Sequence, residues 1–232
     1  MLEIVPAILE KDFDELSRKI ELVHTGARMI QIDVCDGKFL PSISWPFSAP
    51  NVLSYDPAWR SIVAEEEGMP YWDAVDFELD LMIMHELEKI DALLKLGPSR
   101  IVIHPNYADT HAFFHELRKR IGGDIEIGIA LHQSAQAESV FEYIDDGDVS
   151  FVQCMGIRKV GFQGQSFDDK VLENIRALRA RYKDLPISVD GGVNLGNAPA
   201  LIDAGATRLV IGSAIFGSEN PALEIEKFKE IE

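Results

Sequence analysis

The chain has 232 residues, 39 acidic against 22 basic, for a formal net charge of −17. That excess excludes nucleic acid and anionic membrane surfaces as the main partners. It leaves room for a phosphorylated metabolite, because a local ring of backbone N–H groups outweighs distant surface charge.

An apolar fraction of 47% is enough for one large core. The first residues, Met1-Leu2-Glu3-Ile4-Val5, lack a basic region followed by a long apolar run, and no later run reaches membrane length. Cys35 and Cys154 are the only cysteines, which gives neither a disulfide framework nor a thiolate zinc cluster. A reduced, cytoplasmic setting is the expectation.

The first strand is expected at Glu3–Ala7. Helical spacing follows in Phe13, Leu16, Ile20 and Val23, with Gly26 as the stop. A second strand, Met29–Asp33, leads into Asp33-Val34-Cys35-Asp36-Gly37, where an apolar run ends on a carboxylate. The segment 48–74 is long for one connection and rich in Pro, Trp, Tyr and acidic residues. A surface helix with decorated loops is the favoured reading, over a lid or oligomer contact carrying Trp59, Tyr71 and Trp72.

Beyond it the strands are expected at Phe77–Met82, Ile101–His104, Ile125–Leu131, Val149–Met155, Ile187–Asp190 and Arg208–Ile211. Helical stripes lie between them at Leu87, Ile90, Leu93 and Leu94, ended by Gly97-Pro98, and at Val171, Ile175 and Leu178, before Pro186. The strand runs are nearly all apolar, as parallel strands buried on both faces require. Eight strands alternating with helices predict a (β/α)8 TIM barrel, one domain over 1–232 with an extended connection around 48–74.

Such barrels keep their chemistry at the C-terminal ends of the strands. Asp33, Asp80 and Asp190 fall there and are expected to converge, repelling one another unless a cation or shared protons offset the charge. Two opposed carboxylates, Asp33 and Asp190, suit removal of a proton from one face of a carbon and its return to the other. Asp36, followed by Gly37, reads as a turn residue, and His104 and His132 as loop or hydrogen-bonding residues. Asp190-Gly191-Gly192-Val193-Asn194 and Gly212-Ser213 follow the last two strands, where glycines let backbone N–H groups approach a phosphate. Gly161-Phe162-Gln163-Gly164-Gln165 adds a third glycine loop over the same region.

With these motifs the chain resembles the ribulose-phosphate 3-epimerase family almost end to end. The likeness begins at Val5-Pro6-Ala7-Ile8-Leu9 and Asp33-Val34-Cys35-Asp36-Gly37-Lys38-Phe39-Leu40-Pro41. It continues through Leu81-Met82-Ile83, Gly161-Phe162-Gln163-Gly164-Gln165-Ser166-Phe167, Val189-Asp190-Gly191-Gly192-Val193-Asn194 and Gly212-Ser213-Ala214-Ile215-Phe216. The resemblance implies a phosphate-binding barrel that inverts a carbon next to a ketone, by two aspartates and an enediolate held on a divalent metal. It implies Asp33 and Asp190 as the acid–base pair. Phosphate would meet Gly191, Gly192, Gly212 and Ser213. Ala7, Met82, Met155, Gly161 and Gly164 would line the substrate pocket. It also implies a phosphorylated ketose as substrate, and it leaves a homo-oligomer open.

Departures from the family pattern fall in the same places. Gln31 and Asp80 stand where the family carries metal-binding histidines, Ala7 where a serine is usual, and Cys35 where a third methionine is usual. Met155-Gly156-Ile157-Arg158-Lys159-Val160 replaces an Asn-Pro turn and is one residue longer. An all-oxygen set of Gln31, Asp33, Asp80 and Asp190 would suit Mg²⁺ or Mn²⁺ better than zinc or iron. Three alternatives stand beside an epimerase. One is a catalytically silent phosphosugar-binding barrel without metal. Another has Arg158 or Lys159 offsetting the carboxylates, although surface positions are favoured for both. The last is a lyase or aldol-type enzyme, ranked lowest because no lysine stands between Asp33 and Asp36.

Overall fold

The computed structural model describes residues 2–84, 87–105, 110–162 and 164–231. In chain order it runs β1 (Glu3–Ile8), α1 (Phe13–Val23), β2 (Met29–Cys35), β3 (Phe47–Ala49), β4 (Val52–Leu53), α2 (Pro57–Val63), β5 (Asp76–Met82) and α3 (Leu87–Leu94). It continues through β6 (Arg100–Ile103), α4 (Thr110–Ile121), β7 (Glu126–Leu131), α5 (Phe141–Asp145), β8 (Phe151–Met155) and α6 (Val171–Arg181). The last elements are β9 (Ile187–Asp190), α7 (Ala198–Ala204), β10 (Arg208–Ile211), α8 (Ser213–Phe216) and α9 (Pro221–Lys229). Strands β1, β2, β5, β6, β7, β8, β9 and β10 close into one parallel barrel, while β3 and β4 pair as a separate antiparallel hairpin.

Strand alternation sorts the side chains into two cores. On β2, Ile30, Ile32 and Val34 join the apolar layer between barrel and helices, along with Leu16, Ile20 and Val23 of α1. Their neighbours Gln31, Asp33 and Cys35 belong to the opposite face and are buried as well. Helix α1 starts where the Asp12 side chain accepts a hydrogen bond from the Glu15 N–H at 2.9 Å.

The strands match the expected runs with small shifts at the ends. β2 pairs with β5 two residues further than expected, with Val34 opposite Leu81 and Cys35 opposite Met82. The Cys35 N–H also donates to Ser44 Oγ at 2.8 Å, and that hydroxyl donates to the Asp33 carbonyl at 2.6 Å. β6 stops at Ile103, so His104 follows the strand instead of ending it. In 48–74 lie the end of the hairpin and α2, which Asp56 caps by accepting from the Trp59 N–H at 2.8 Å. Trp59 is buried edge-on against Trp45 and serves the core, while Trp72 is exposed.

The floor of the barrel is charged. Arg208 reaches Glu126 at 2.9 Å and Glu3 at 3.2 Å, and Arg100 reaches Glu3 at 2.9 Å. Buried Glu78 lies 3.9 Å from Arg100, and burial pushes its carboxyl up to about 8 against the pull of both arginines. Beside this layer the Phe151 ring, under the Arg208 guanidinium at 4.8 Å, fills space left by Gly128. A Cβ at position 128 would stand 2.4 Å from that ring. Gly128→Ala is therefore expected to destabilise the fold by about 1–3 kcal/mol, read as a lowered melting temperature, since an overpacked interior must shift.

Candidate active site

Three elements bring the carboxylates together. Asp33 and Asp80 are direct partners across the β2–β5 pair, and Asp190 ends β9 opposite Met155. Asp33, Asp80 and Asp190 each offer a carboxylate oxygen, and these oxygens lie within 4.8 Å of one another. Between two of them sits Gln31, whose Nε2 donates to Asp33 Oδ1 at 2.7 Å and reaches Asp190 Oδ2 at 3.5 Å. Burial first, and then the Asp190 and Asp80 charges, hold the Asp33 carboxyl well above the usual carboxylate range. Burial and the Asp80 charge push Asp190 up to about 7. Both carboxyls thus hold a proton more readily than a free aspartate does, and an acid–base pair requires that one of them be ionised while the other is protonated. The neighbouring Cys35 thiol is raised by burial and then by Asp33, so it stays protonated.

Asp80 is held from behind. Its Oδ1 meets His104 Nε2 at 2.7 Å with both side chains fully buried, and His104 Nδ1 meets His132 Nε2 at 3.1 Å. Sequence reasoning gave both histidines hydrogen-bonding roles but did not connect them to Asp80. The signal available was their place at the ends of the adjacent strands β6 and β7. Asp36 keeps its turn role, accepting from the Lys38 and Phe39 N–H groups at 2.8 Å each and from the Met84 N–H at 2.8 Å.

Asp33 and Asp190 line a cleft with about 530 Å³ of empty space, counting the part open to solvent. Ala7, Met82, Met155 and Val210 line its walls, and Gly161, Gly164, Gly191, Gly192, Gly212 and Ser213 line it as well. Every pocket position expected from sequence is present, and Gln163 lies outside the described residues. Gly191 and Gly192 have positive φ angles of +102° and +70°. Side chains there would run into Ile157 and the Phe167 backbone, at 2.6 and 2.9 Å. The Asn194 and Asn197 amides both hold the Gly192 carbonyl, at 3.1 and 3.0 Å, which fixes that peptide at the cleft edge.

Ile157 and Phe162 also line the cleft, and sequence reasoning had not singled them out. Ile157 of the altered loop is buried, whereas Arg158 is exposed and pairs with Asp168 at 2.9 Å. Lys159 is exposed too, so both cations of that loop hold the surface positions favoured for them. The loop is fastened to the one after β2 where Ser42 Oγ donates to the Gly161 carbonyl at 2.6 Å.

A divalent cation fits the donor set. All three carboxylates present oxygen, the ligand of hard cations, and Asp80 Oδ2 is buried with no hydrogen-bond partner. Gln31 is turned with its Nε2 toward the carboxylates, and its Oε1 is buried without a partner. As a ligand it would have to present that oxygen.

A parallel (β/α)8 barrel with a glycine-lined corner after its last two strands has the architecture in which barrel enzymes frequently bind phosphate. The model of the ribulose-phosphate 3 epimerase family matches residues 3–216, and the chain belongs to that family. The ribulose-phosphate 3-epimerase of Bacillus subtilis (strain 168) is 31% identical over 99% of both chains. The cytoplasmic isoform from Oryza sativa subsp. japonica is 28% identical over 98% of this chain and 93% of its own. Two solved structures share the fold. The 3-hexulose-6-phosphate synthase from Salmonella typhimurium has a TM-score of 0.69 at 14% identity, covering 99% of this chain and 98% of that one. KGPDC from Streptococcus mutans has a TM-score of 0.68 at 12% identity, covering 99% and 96%. Among the described residues no helix is long and apolar enough to cross a membrane.

Proposed function

We propose that the chain epimerises a phosphorylated ketose, with ribulose 5-phosphate as the first candidate, by two-aspartate acid–base chemistry. The observation that carries this reading is the joining of Asp33 and Asp190 by one Gln31 amide, in a cleft that also holds the glycine corner. The phosphate meets Gly191, Gly192, Gly212 and Ser213, which sets the sugar carbons against the carboxylates. Met82, Met155 and Ala7 press the sugar from the sides and exclude water. Asp33 takes the proton from the carbon next to the ketone, leaving an enediolate, and Asp190 returns a proton from the other face. In the reverse direction the two exchange roles.

Asp33, Asp80 and Asp190 would hold a divalent cation, Mg²⁺ or Mn²⁺ by its oxygen donors, with Gln31 joining if its amide turns. Such an ion, when bound, offsets negative charge developing on the substrate oxygens. Incubation with ribulose 5-phosphate in deuterated water, with Mg²⁺, with Mn²⁺ and after chelation, tests this. Deuterium entering C3, followed by NMR, is the expected result. No exchange under any condition removes this substrate.

A second reading is favoured by Gln31 itself. Its Nε2–H group already bridges two carboxylates, a neutral substitute for a metal ligand. A silent phosphosugar-binding barrel would then show ligand-dependent thermal stabilisation and no exchange.

A further inference from the structure

The chain Asp80–His104–His132 leads away from the cleft. A carboxylate only accepts, so in the 2.7 Å contact with Asp80 Oδ1 it is His104 Nε2 that donates. That leaves His104 Nδ1 facing His132 Nε2 at 3.1 Å. Burial above all pushes the His132 imidazole down to about 4, so it is neutral, and its Nε2 and His104 Nδ1 share one proton across that contact. The Phe39 ring meets His104 edge-on, with centroids 5.6 Å apart. His132 is half-buried and its far side lines a separate surface cleft with Gln133, Ser134, Arg158 and Lys170. With Oδ1 of Asp80 taken by His104, Oδ2 is the oxygen left without a partner.

We propose that His132 is a positioning residue. Through its contact with His104 Nδ1 it fixes that ring's orientation, and so holds Asp80 with Oδ2 available to the space shared with Asp33 and Asp190. The affinity of that space for a divalent cation is set in part from the far side of the barrel wall. Outer-shell partners of this kind typically change metal affinity about 10–100-fold when removed. The affinity half of the proposal rests on the cation reading above, and the hydrogen-bond half does not.

The test uses the full chain as wild type, His132→Leu and His132→Gln. Gln places its Nε2 close to where the imidazole carries its own, so it keeps a donor at that point. Two readouts are taken: the His104 ring ¹⁵N pattern by long-range NMR, and Mn²⁺ binding by calorimetry. The expected result is one ¹⁵N pattern shared by wild type and His132→Gln, with Nε2 protonated toward Asp80. In His132→Leu that pattern is lost, and Mn²⁺ binds about 10-fold more weakly. His132→Leu with the wild-type ¹⁵N pattern and Mn²⁺ affinity within twofold overturns the proposal, as does His132→Gln behaving like His132→Leu. A wild-type chain that binds no Mn²⁺ overturns the cation reading and the affinity half together. The ¹⁵N pattern then decides alone whether His132 holds His104.

Discussion

Asp33→Asn is expected to lower deuterium exchange into the substrate by about 10²–10⁴-fold, the size of the contribution made by a positioned general base. The amide has the shape of the carboxylate but takes up no proton. Thermal stability is expected to move the other way. Asp33 is raised by burial and by repulsion from Asp190 and Asp80, so removing its charge relieves both. A melting temperature that rises by a few degrees while exchange collapses separates chemistry from a folding defect. Turnover within a few-fold of wild type would remove Asp33 from the mechanism. Asp190→Asn is expected to show the same opposed pair of effects.

The second large effect links pH and cation. Asp190 has its folded value pushed from the ordinary 3.8 up to about 7. The stability it contributes is fully present below its unfolded value and is lost as pH rises through the folded one. Chelated protein is therefore expected to melt on the order of 5 °C higher at pH 5 than at pH 8, with a flatter profile in Asp190→Asn. At pH 8 added Mg²⁺ or Mn²⁺ is expected to supply what the proton no longer does. At about 100 times its dissociation constant an ion adds about 2.7 kcal/mol. Scanning calorimetry across pH, with and without ion, reads both. A chelated wild type with the same profile as Asp190→Asn would contradict the assignment.

How much of this was legible beforehand differs by layer. The barrel was readable because strands buried on both faces are continuously apolar, and each run was found within two residues of its ends. Asp80 was readable because a carboxylate inside an apolar run has few structural uses, and Asp33 and Asp190 because two strand-end carboxylates occur as a pair. The histidine pair behind Asp80 was not. His104 and His132 are 28 positions apart, and only the closure of neighbouring strands puts their ring nitrogens 3.1 Å apart. Gln31 was legible as a residue but not as a posture, since nothing in a sequence tells which end of an amide faces two carboxylates. Ile157 was hidden by the charged Arg158-Lys159 beside it, which drew attention to side chains that point away. Trp59 was a contact residue only in the less favoured reading of 48–74, and Asp56 and Trp45 make it core.

The Gly128–Phe151 contact on the barrel floor has an evolutionary consequence. A ring from one strand occupies the volume that the neighbouring strand has given up, so the two positions carry a single volume between them. Neither is free to drift alone. A larger residue at 128 requires a smaller one at 151, and a smaller residue at 151 leaves a void until 128 grows. Relatives that have exchanged one are expected to have exchanged the other. The intermediate step is the costly one, so such lineages should be separated by a paired change and not by a gradient. The Arg208 guanidinium stacked on that ring would be drawn into the exchange as well.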